Sequence, residues 1–183
     1  ELMDDRIKGR GTGNLKMEIN TFGDFSMYGN YIIETGTYHF TALNFISKEF
    51  NITNGSRITW DGNPLDGKMK IEAVKREYAA PADLLVGLVP TEELQNYRTK
   101  IPVDCQLFLN GLLFSPEISF GLSFPNQNSV SSTGFNAFNS VVSRIKTDVE
   151  EINRQVFSLL VLGSFIPPGF SNGNTTLASS TSS

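Results

Sequence analysis

From Phe25 to Ala73 the chain alternates apolar and polar residues in short stretches, punctuated by Gly, Asn, Asp and Pro. That period of two predicts strands with one apolar face, because successive side chains in a strand point to opposite sides. Phe25, Met27, Tyr31 and Ile33 share one face of the first strand, with Ser26, Asn30 and Glu34 behind them. The pattern restarts after Gly36 with Tyr38, Phe40 and Ala42, then with Phe50 and Ile52. It continues with Ile58 and Trp60 beyond an Asn54-Gly55 turn, and with Met69, Ile71 and Ala73 beyond Asp66-Gly67. Asp61-Gly62-Asn63-Pro64 and Asp66-Gly67 mark a tight connection between two of these strands. All of them can contribute to one continuous apolar surface backed by a polar one.

Upstream, Leu15-Lys16-Met17-Glu18-Ile19 predicts another strand. The preceding Gly9-Arg10-Gly11-Thr12-Gly13 reads as a plain turn, since a phosphate-cradling loop would follow a strand and open a helix. Between Tyr78 and Lys100 alternation lapses, which predicts a long connection with one helical turn capped by Thr91. Alternation returns in Val103, Cys105, Leu107 and Leu109, and again in Ile118, Phe120, Leu122 and Phe124. Phe108 is an exception on the polar side. Asn110-Gly111 permits the reversal, with Leu112 to Pro116 lengthening the connection beyond a minimal hairpin. Pro125 to Asn136 reads as a polar loop. One amphipathic helix of about 139–160 follows, from Val141, Val142, Ile145, Val149, Ile152, Val156 and Leu159. Gly163, Pro167 and Pro168 end the apolar run Phe157 to Phe165, and Ser171 to Ser183 reads as a disordered tail.

Length and composition narrow the class. The chain has 183 residues, 39% hydrophobic and 11% aromatic, enough for one domain with a real core. Its net charge of -4, with Lys and Arg scattered, leaves no footprint for nucleic acid. A single Cys105 cannot form an internal disulfide, and no run approaches the roughly 20 apolar residues of a membrane-spanning helix. With no signal peptide at its start, the chain reads as a fragment of something longer, with any membrane anchor upstream.

Candidate chemistry is sparse. His39 is the only histidine, so any Ser-His-Asp site would need it, yet it falls on the polar side of an alternating strand. Cys105 belongs to an apolar stripe, which favours a packed and inert thiol. Gly121-Leu122-Ser123 lacks the second glycine of a nucleophile elbow. The neighbouring carboxylates Asp4-Asp5, Glu92-Glu93 and Glu150-Glu151 diverge from one another, so paired acid/base work is not expected of them. No catalytic residue, cofactor or metal site is expected.

Three longer runs carry a resemblance. These are Phe25-Ser26-Met27-Tyr28-Gly29-Asn30-Tyr31, then Glu34-Thr35-Gly36-Thr37-Tyr38-His39-Phe40, then Phe50 to Pro64 with its Gly-Ser-x-Ile-x-Trp-x-Gly-x-Pro pattern. They resemble the C-terminal domain of the TamB family, a subunit type of the translocation and assembly module within the bridge-like lipid-transfer proteins. Asn153 to Phe165 is similar to that family's closing motif. Lys75 departs from it, standing where relatives often carry an aromatic. The resemblance implies a mostly β fold, a curved antiparallel or mixed sheet forming an apolar trough, with one amphipathic C-terminal helix. It also implies a periplasmic location, within a longer protein anchored in the inner membrane and reaching the outer membrane. The implied partners are a TamA-like outer-membrane protein of the Omp85 class, phospholipid and unfolded outer-membrane protein clients.

On that basis residues 1–13 are expected to lead in from upstream β structure, 14–168 to form the trough domain and 169–183 the tail. The expected lining is Met17, Ile19, Phe25, Met27, Tyr31, Tyr38, Phe40, Ile58, Trp60, Met69, Ile71, Leu107, Leu109, Ile118, Phe120 and Leu122. A trough of about eight strands would run roughly 40 Å at the usual strand spacing. By pattern alone the same stripes also suit the core of a β-sandwich or a closed lipid-binding barrel. A second expectation is a docking module in which Val156, Phe157, Leu159, Val161 and Phe165 meet the outer-membrane partner. There Phe157 to Phe165 either adds a strand to the partner's sheet or packs as a helix end on the domain's own core.

Overall fold

A computed structural model describes residues 5–42, 46–125 and 135–169; the predicted loop after Pro125 and the tail fall largely outside them. The described strands form one antiparallel sheet: β1 (Arg6–Ile19), β2 (Phe25–Ala42), β3 (Ile46–Ile52), β4 (Ser56–Gly62), β5 (Lys68–Ala79), β6 (Ile101–Leu112) and β7 (Ser115–Ser123). Their order is β1-β2-β3-β5-β6-β7, with β4 between β2 and β5 alongside β3. Among the described strands β1 and β7 are the two edges, so the sheet they form is open. Among the described residues no second sheet faces it, and neither the sandwich nor the closed barrel is the fold.

Five local expectations are corrected. Gly9 to Gly13 is not a turn but the middle of β1, paired throughout with β2. Its glycines are needed because the backbones approach closely there: a Cβ on Gly13 would lie 2.6 Å from the Asn30 carbonyl oxygen, and one on Gly11 closer still to that of Ile32. At that point the pairing passes from Arg10↔Thr35 to Gly11↔Ile33, leaving Glu34 as an extra residue in β2. Such a bulge bends a strand and shifts its alternation. This is why inward residues change from Tyr31 and Ile33 to Tyr38 and Phe40 without a break in the strand.

The chain also does not reverse at Asn54-Gly55. β3 and β4 are two halves of one strand line, both antiparallel to β2 and to β5. Thr53 to Gly55 is looped out between them, with Thr53 N–H donating to Glu72 O (2.8 Å) and Gly55 N–H, at φ +90°, to Ile33 O (3.1 Å). The β6–β7 hairpin is shorter than expected. Leu112 pairs with Ser115, so Leu113 and Phe114 are the whole turn, and Asn110-Gly111 lies inside β6.

Finally, the helical period after the loop is borne out, but the element is divided into α2 (Phe135–Thr147) and α3 (Val149–Leu162). Asp148 is extended, and its carboxylate accepts from the backbone N–H groups of Glu150 (3.0 Å) and Glu151 (3.1 Å), an N-cap that starts a new helix. Gly163 in left-handed geometry closes α3. The long connection after β5 holds a short α1 (Ala82–Leu85) and a 3-10 turn (Glu93–Tyr97) whose N-cap is Glu92 rather than Thr91.

Candidate functional site

Pairing register puts most of the predicted apolar stripes on one side. Ile19 faces Phe25, Met17 faces Met27, and Tyr31, Ile58 and Met69 form one row. Further along, Ile71, Leu109 and Ile118 form another, and Ala73, Leu107 and Phe120 a third. The helices cover only part of this face. α3 packs on β7, β3 and β5, with α2 against α3 and α1 against α2.

Tyr38, Phe40, Phe50, Met69, Ile71, Leu107, Leu109 and Leu122 are all buried, in one core cluster with Val142, Val156 and Leu159 of the helices. Phe40, Phe120 and Phe157 form an edge-to-face relay from sheet to α3, with ring centroids 5.5 Å apart at both steps. In the uncovered part, Ile19 is 73% exposed, Met17 60% and Phe25 43%. Met27 and Trp60 are half-buried there, and Tyr31 and Ile58 sit half-buried on the border, packed against the core. The sixteen expected lining residues therefore divide. Seven belong to the uncovered part. Tyr38, Phe40, Met69, Ile71, Leu107, Leu109 and Leu122 are sealed by the chain itself, with Ile118 and Phe120 half-buried beside them.

The motif around Trp60 has a local physical account. Ser56 is buried, its Oγ accepting from Glu72 N–H (3.1 Å) and donating to Glu72 O (3.3 Å), which locks β4 to β5 after the loop-out. The Trp60 indole N–H donates to Pro64 O (3.0 Å), and its ring lies over Gly67, where a Cβ would stand 2.4 Å from Nε1. Asn63 accepts from Leu65 N–H (3.0 Å) and fixes the 3-10 turn at Pro64–Asp66. The predicted tight connection between two strands is thus present, and it anchors the only Trp beside the uncovered surface.

The expected docking residues lie in α3 and just beyond it. Val156, Leu159 and Phe165 are buried, Phe157 is half-buried against Phe120, and Val161 is half-exposed. Phe157 to Leu162 is helical, so the helix-end form of that expectation is the one present. A polar clamp that the sequence reading missed holds the segment after it. Buried Glu151 accepts from Arg154 (3.0 and 3.1 Å), from Gln155 (2.7 Å) and from Gly169 N–H (3.2 Å). Gln155 and Ile166 bond each other's amide groups (2.8 and 3.2 Å), and Arg154 donates to Pro167 O (2.8 Å). Polar residues at an apolar helix face were its only sequence signal.

His39 lies on the polar side with Nε2 2.9 Å from Ser47 Oγ. Burial pushes the Cys105 thiol up to about 12, with the Glu77 and Asp104 charges adding to it, so the sulfur stays protonated and unreactive. Burial, then the bond to Asp5 Oδ2 (2.6 Å) and the Asp5 charge, raise the Tyr38 phenol well above its usual range. No cluster of three metal-ligating side chains occurs among the described residues. Phe108, on the polar side, borders an open hollow of about 390 Å³ with Arg57 and Lys70.

What these elements define is a binding or assembly module built on an open, partly covered β-sheet, with an apolar surface as its distinctive feature. The model of the TamB C-terminal domain matches residues 2–183, and the chain belongs to that family. No curated protein matches the chain. Family membership makes it part of a TamB-like module in outer-membrane biogenesis, an envelope transport and assembly component that works with an outer-membrane partner. No described helix is long and apolar enough to cross a membrane.

Proposed function

We propose that the uncovered part of the apolar face shields phospholipid acyl chains during their passage to the outer membrane. Met17, Ile19, Phe25, Met27, Tyr31, Ile58 and Trp60 form the contact, and no catalytic residue is involved. The observation that carries this reading is the exposure of Met17, Ile19 and Phe25 on the same face whose other half is fully packed. From the Ile19–Phe25 row to the Tyr31–Ile58 row is six residues of strand, or about 20 Å at 3.3 Å per residue. One leaflet's hydrocarbon is about 15 Å deep, so a single tail fits along β1, β2 and β4. Each methylene kept from water contributes about 0.8 kcal/mol, and a tail with half its length covered gains several kcal/mol. The guest lies along three strands rather than across eight.

A TamA-like partner of the Omp85 class and unfolded outer-membrane protein clients belong to the same proposal. The edge of β1, fourteen residues that among the described strands pair on one side only, suits strand addition better than the helical 157–162 segment does. The periplasm is the compartment this reading requires.

The test is native mass spectrometry of the full chain for bound phospholipid, beside a Met27→Asp, Ile58→Asp variant. Charges on the uncovered face should abolish bound lipid while circular dichroism stays that of the native sheet. Equal lipid on both proteins contradicts the reading.

A further inference from the structure

Three turns at one end of the sheet each display a large apolar side chain where turn chemistry ordinarily places polar ones. Phe22, in the β1–β2 turn, is 90% exposed; Leu65, between β4 and β5, is 64%; Phe114, between β6 and β7, is 71%. Two of these turns share one scaffold. Asn20 Oδ1 accepts from Phe22 N–H (2.9 Å) and its amide donates to Asp24 Oδ2 (2.7 Å). Asn63 Oδ1 accepts from Leu65 N–H (3.0 Å) and its amide donates to Asp66 Oδ2 (3.0 Å). In both, an asparagine holds the residue two places on, so the apolar side chain is presented by a braced backbone and not left on a loose loop. The third turn is tied to the second through Leu113 N–H and Gly67 O (2.7 Å). Leu65, Leu112 and Phe114 line one shallow hollow of about 340 Å³.

The tips are also aligned. Asn14, Asn30, Thr59, Lys68, Leu112 and Ser115 form one line of register across the sheet. Beyond that line β1 and β2 run five more residues, to Ile19 and Phe25, β4 runs three more, to Gly62, and β6 turns at once. The tips therefore step down by about 7 and 10 Å while moving sideways by about 10 Å each time, two strands per step. The three tips thus descend in one direction across the sheet, along an edge inclined to the strands.

The charges nearby narrow what this inclined edge can meet. Lys16 is paired with Glu18 and Lys68 with Asp61, while Asp24 and Asp66 accept from the two asparagines. This end carries no surplus of positive charge for an anionic surface. It offers separated, protruding apolar points to a flat apolar medium beneath neutral headgroups, the requirement for shallow seating at a bilayer interface. We infer that the end of the sheet bearing Phe22, Leu65 and Phe114 docks on a zwitterionic lipid bilayer, inserting these three side chains at the headgroup boundary. The uncovered apolar face begins at the same end, with Ile19 and Phe25 beside Phe22, so a docked rim brings that face to the membrane. The inference rests on the acyl-chain reading only for the purpose of the contact.

Flotation of the full chain with phosphatidylcholine–phosphatidylethanolamine vesicles tests it, with and without phosphatidylglycerol. The protein should float without phosphatidylglycerol and at high salt. A Phe22→Ser, Leu65→Ser, Phe114→Ser variant should lose binding by about tenfold or more. A Val86→Ser, Leu88→Ser protein, altered at exposed apolar positions beyond the other end of the sheet, should float as the native chain does. Failure of the native chain to float, flotation of the triple variant equal to it, or binding that requires phosphatidylglycerol and vanishes in salt overturns the inference. So does a triple variant whose only change is loss of self-association. Lipid uptake read by mass spectrometry on the same proteins separates the two proposals. Tip-dependent flotation without uptake by the native chain removes the carrier reading and leaves the docking rim standing.

Discussion

The apolar face of this sheet has two halves with similar composition and opposite fates. Under the helices, Phe40, Ile71, Leu107 and Leu109 are as buried as any core, and an aromatic relay ties them to α3. Toward the β1–β2 hairpin, Met17, Ile19 and Phe25 continue the same stripe with nothing from the described chain above them. The difference is not in the strands but in the reach of the covering layer, whose contacts fall on β7, β3 and β5. An apolar period of two therefore identifies which face avoids water, and is silent on what covers it.

The largest contrast is expected from one charge placed on each half. Leu107→Asp buries an unpaired carboxylate in a packed core and should cost about 4 kcal/mol or more, leaving the chain unfolded by thermal melt and circular dichroism. Ile58→Asp, at the border, should leave a folded protein of lower stability, and Met17→Asp should change the melting midpoint hardly at all. Equal damage at positions 17 and 107 would mean that the two halves are not distinct.

A smaller effect tests the device that aims the covering layer. Glu151→Ala strands Arg154, Gln155 and the Gly169 N–H together, and a loss of about 2–3 kcal/mol in urea denaturation is expected. Gln155→Leu should cost less than that. Next is Asp148→Ala, which removes the cap separating α2 from α3 and should cost about 1 kcal/mol. In that variant hydrogen exchange should speed up more over Phe40 and Phe120 than over Met27, because the former depend on the helices for protection.

The smallest effect concerns pH, and its sign follows from both titrations. Cys105 and Tyr38 hold their protons more tightly folded than unfolded. The unfolded chain releases them first, so the folded state keeps its full advantage below about pH 9 and loses it as pH climbs toward 12. Cys105→Ala should flatten the first part of that decline in denaturation midpoints measured between pH 8 and 11.

Much of the fold is legible in the sequence because alternation is a local property. The strands around Tyr31, Phe40, Ile58, Ile71, Leu107 and Phe120, their shared face and the helical period after Asn139 all follow from it. Local pattern misleads where tertiary pairing overrides local chemistry. Gly9 to Gly13 carries turn residues, yet close approach to the Glu34 bulge is what requires them. Asn54-Gly55 bears the dipeptide of a hairpin, but β2 and β5 hold both flanking segments in one line. The Glu151–Arg154–Gln155 clamp was hidden because its partners are backbone groups of residues 166–169. In the sequence the candidate surface reads as one lining of sixteen residues, since nothing local distinguishes Met17 from Leu107.

Photo-crosslinking with a phospholipid carrying a photoreactive group along one acyl chain, followed by peptide mapping of the full chain, addresses the central claim most directly. Adducts confined to the β1, β2 and β4 positions Met17, Phe25, Met27, Tyr31, Ile58 and Trp60, and missing from Phe40, Ile71, Leu107 and Leu109, are the predicted result. Adducts spread evenly over both halves, or located on the polar side of the sheet, would contradict it.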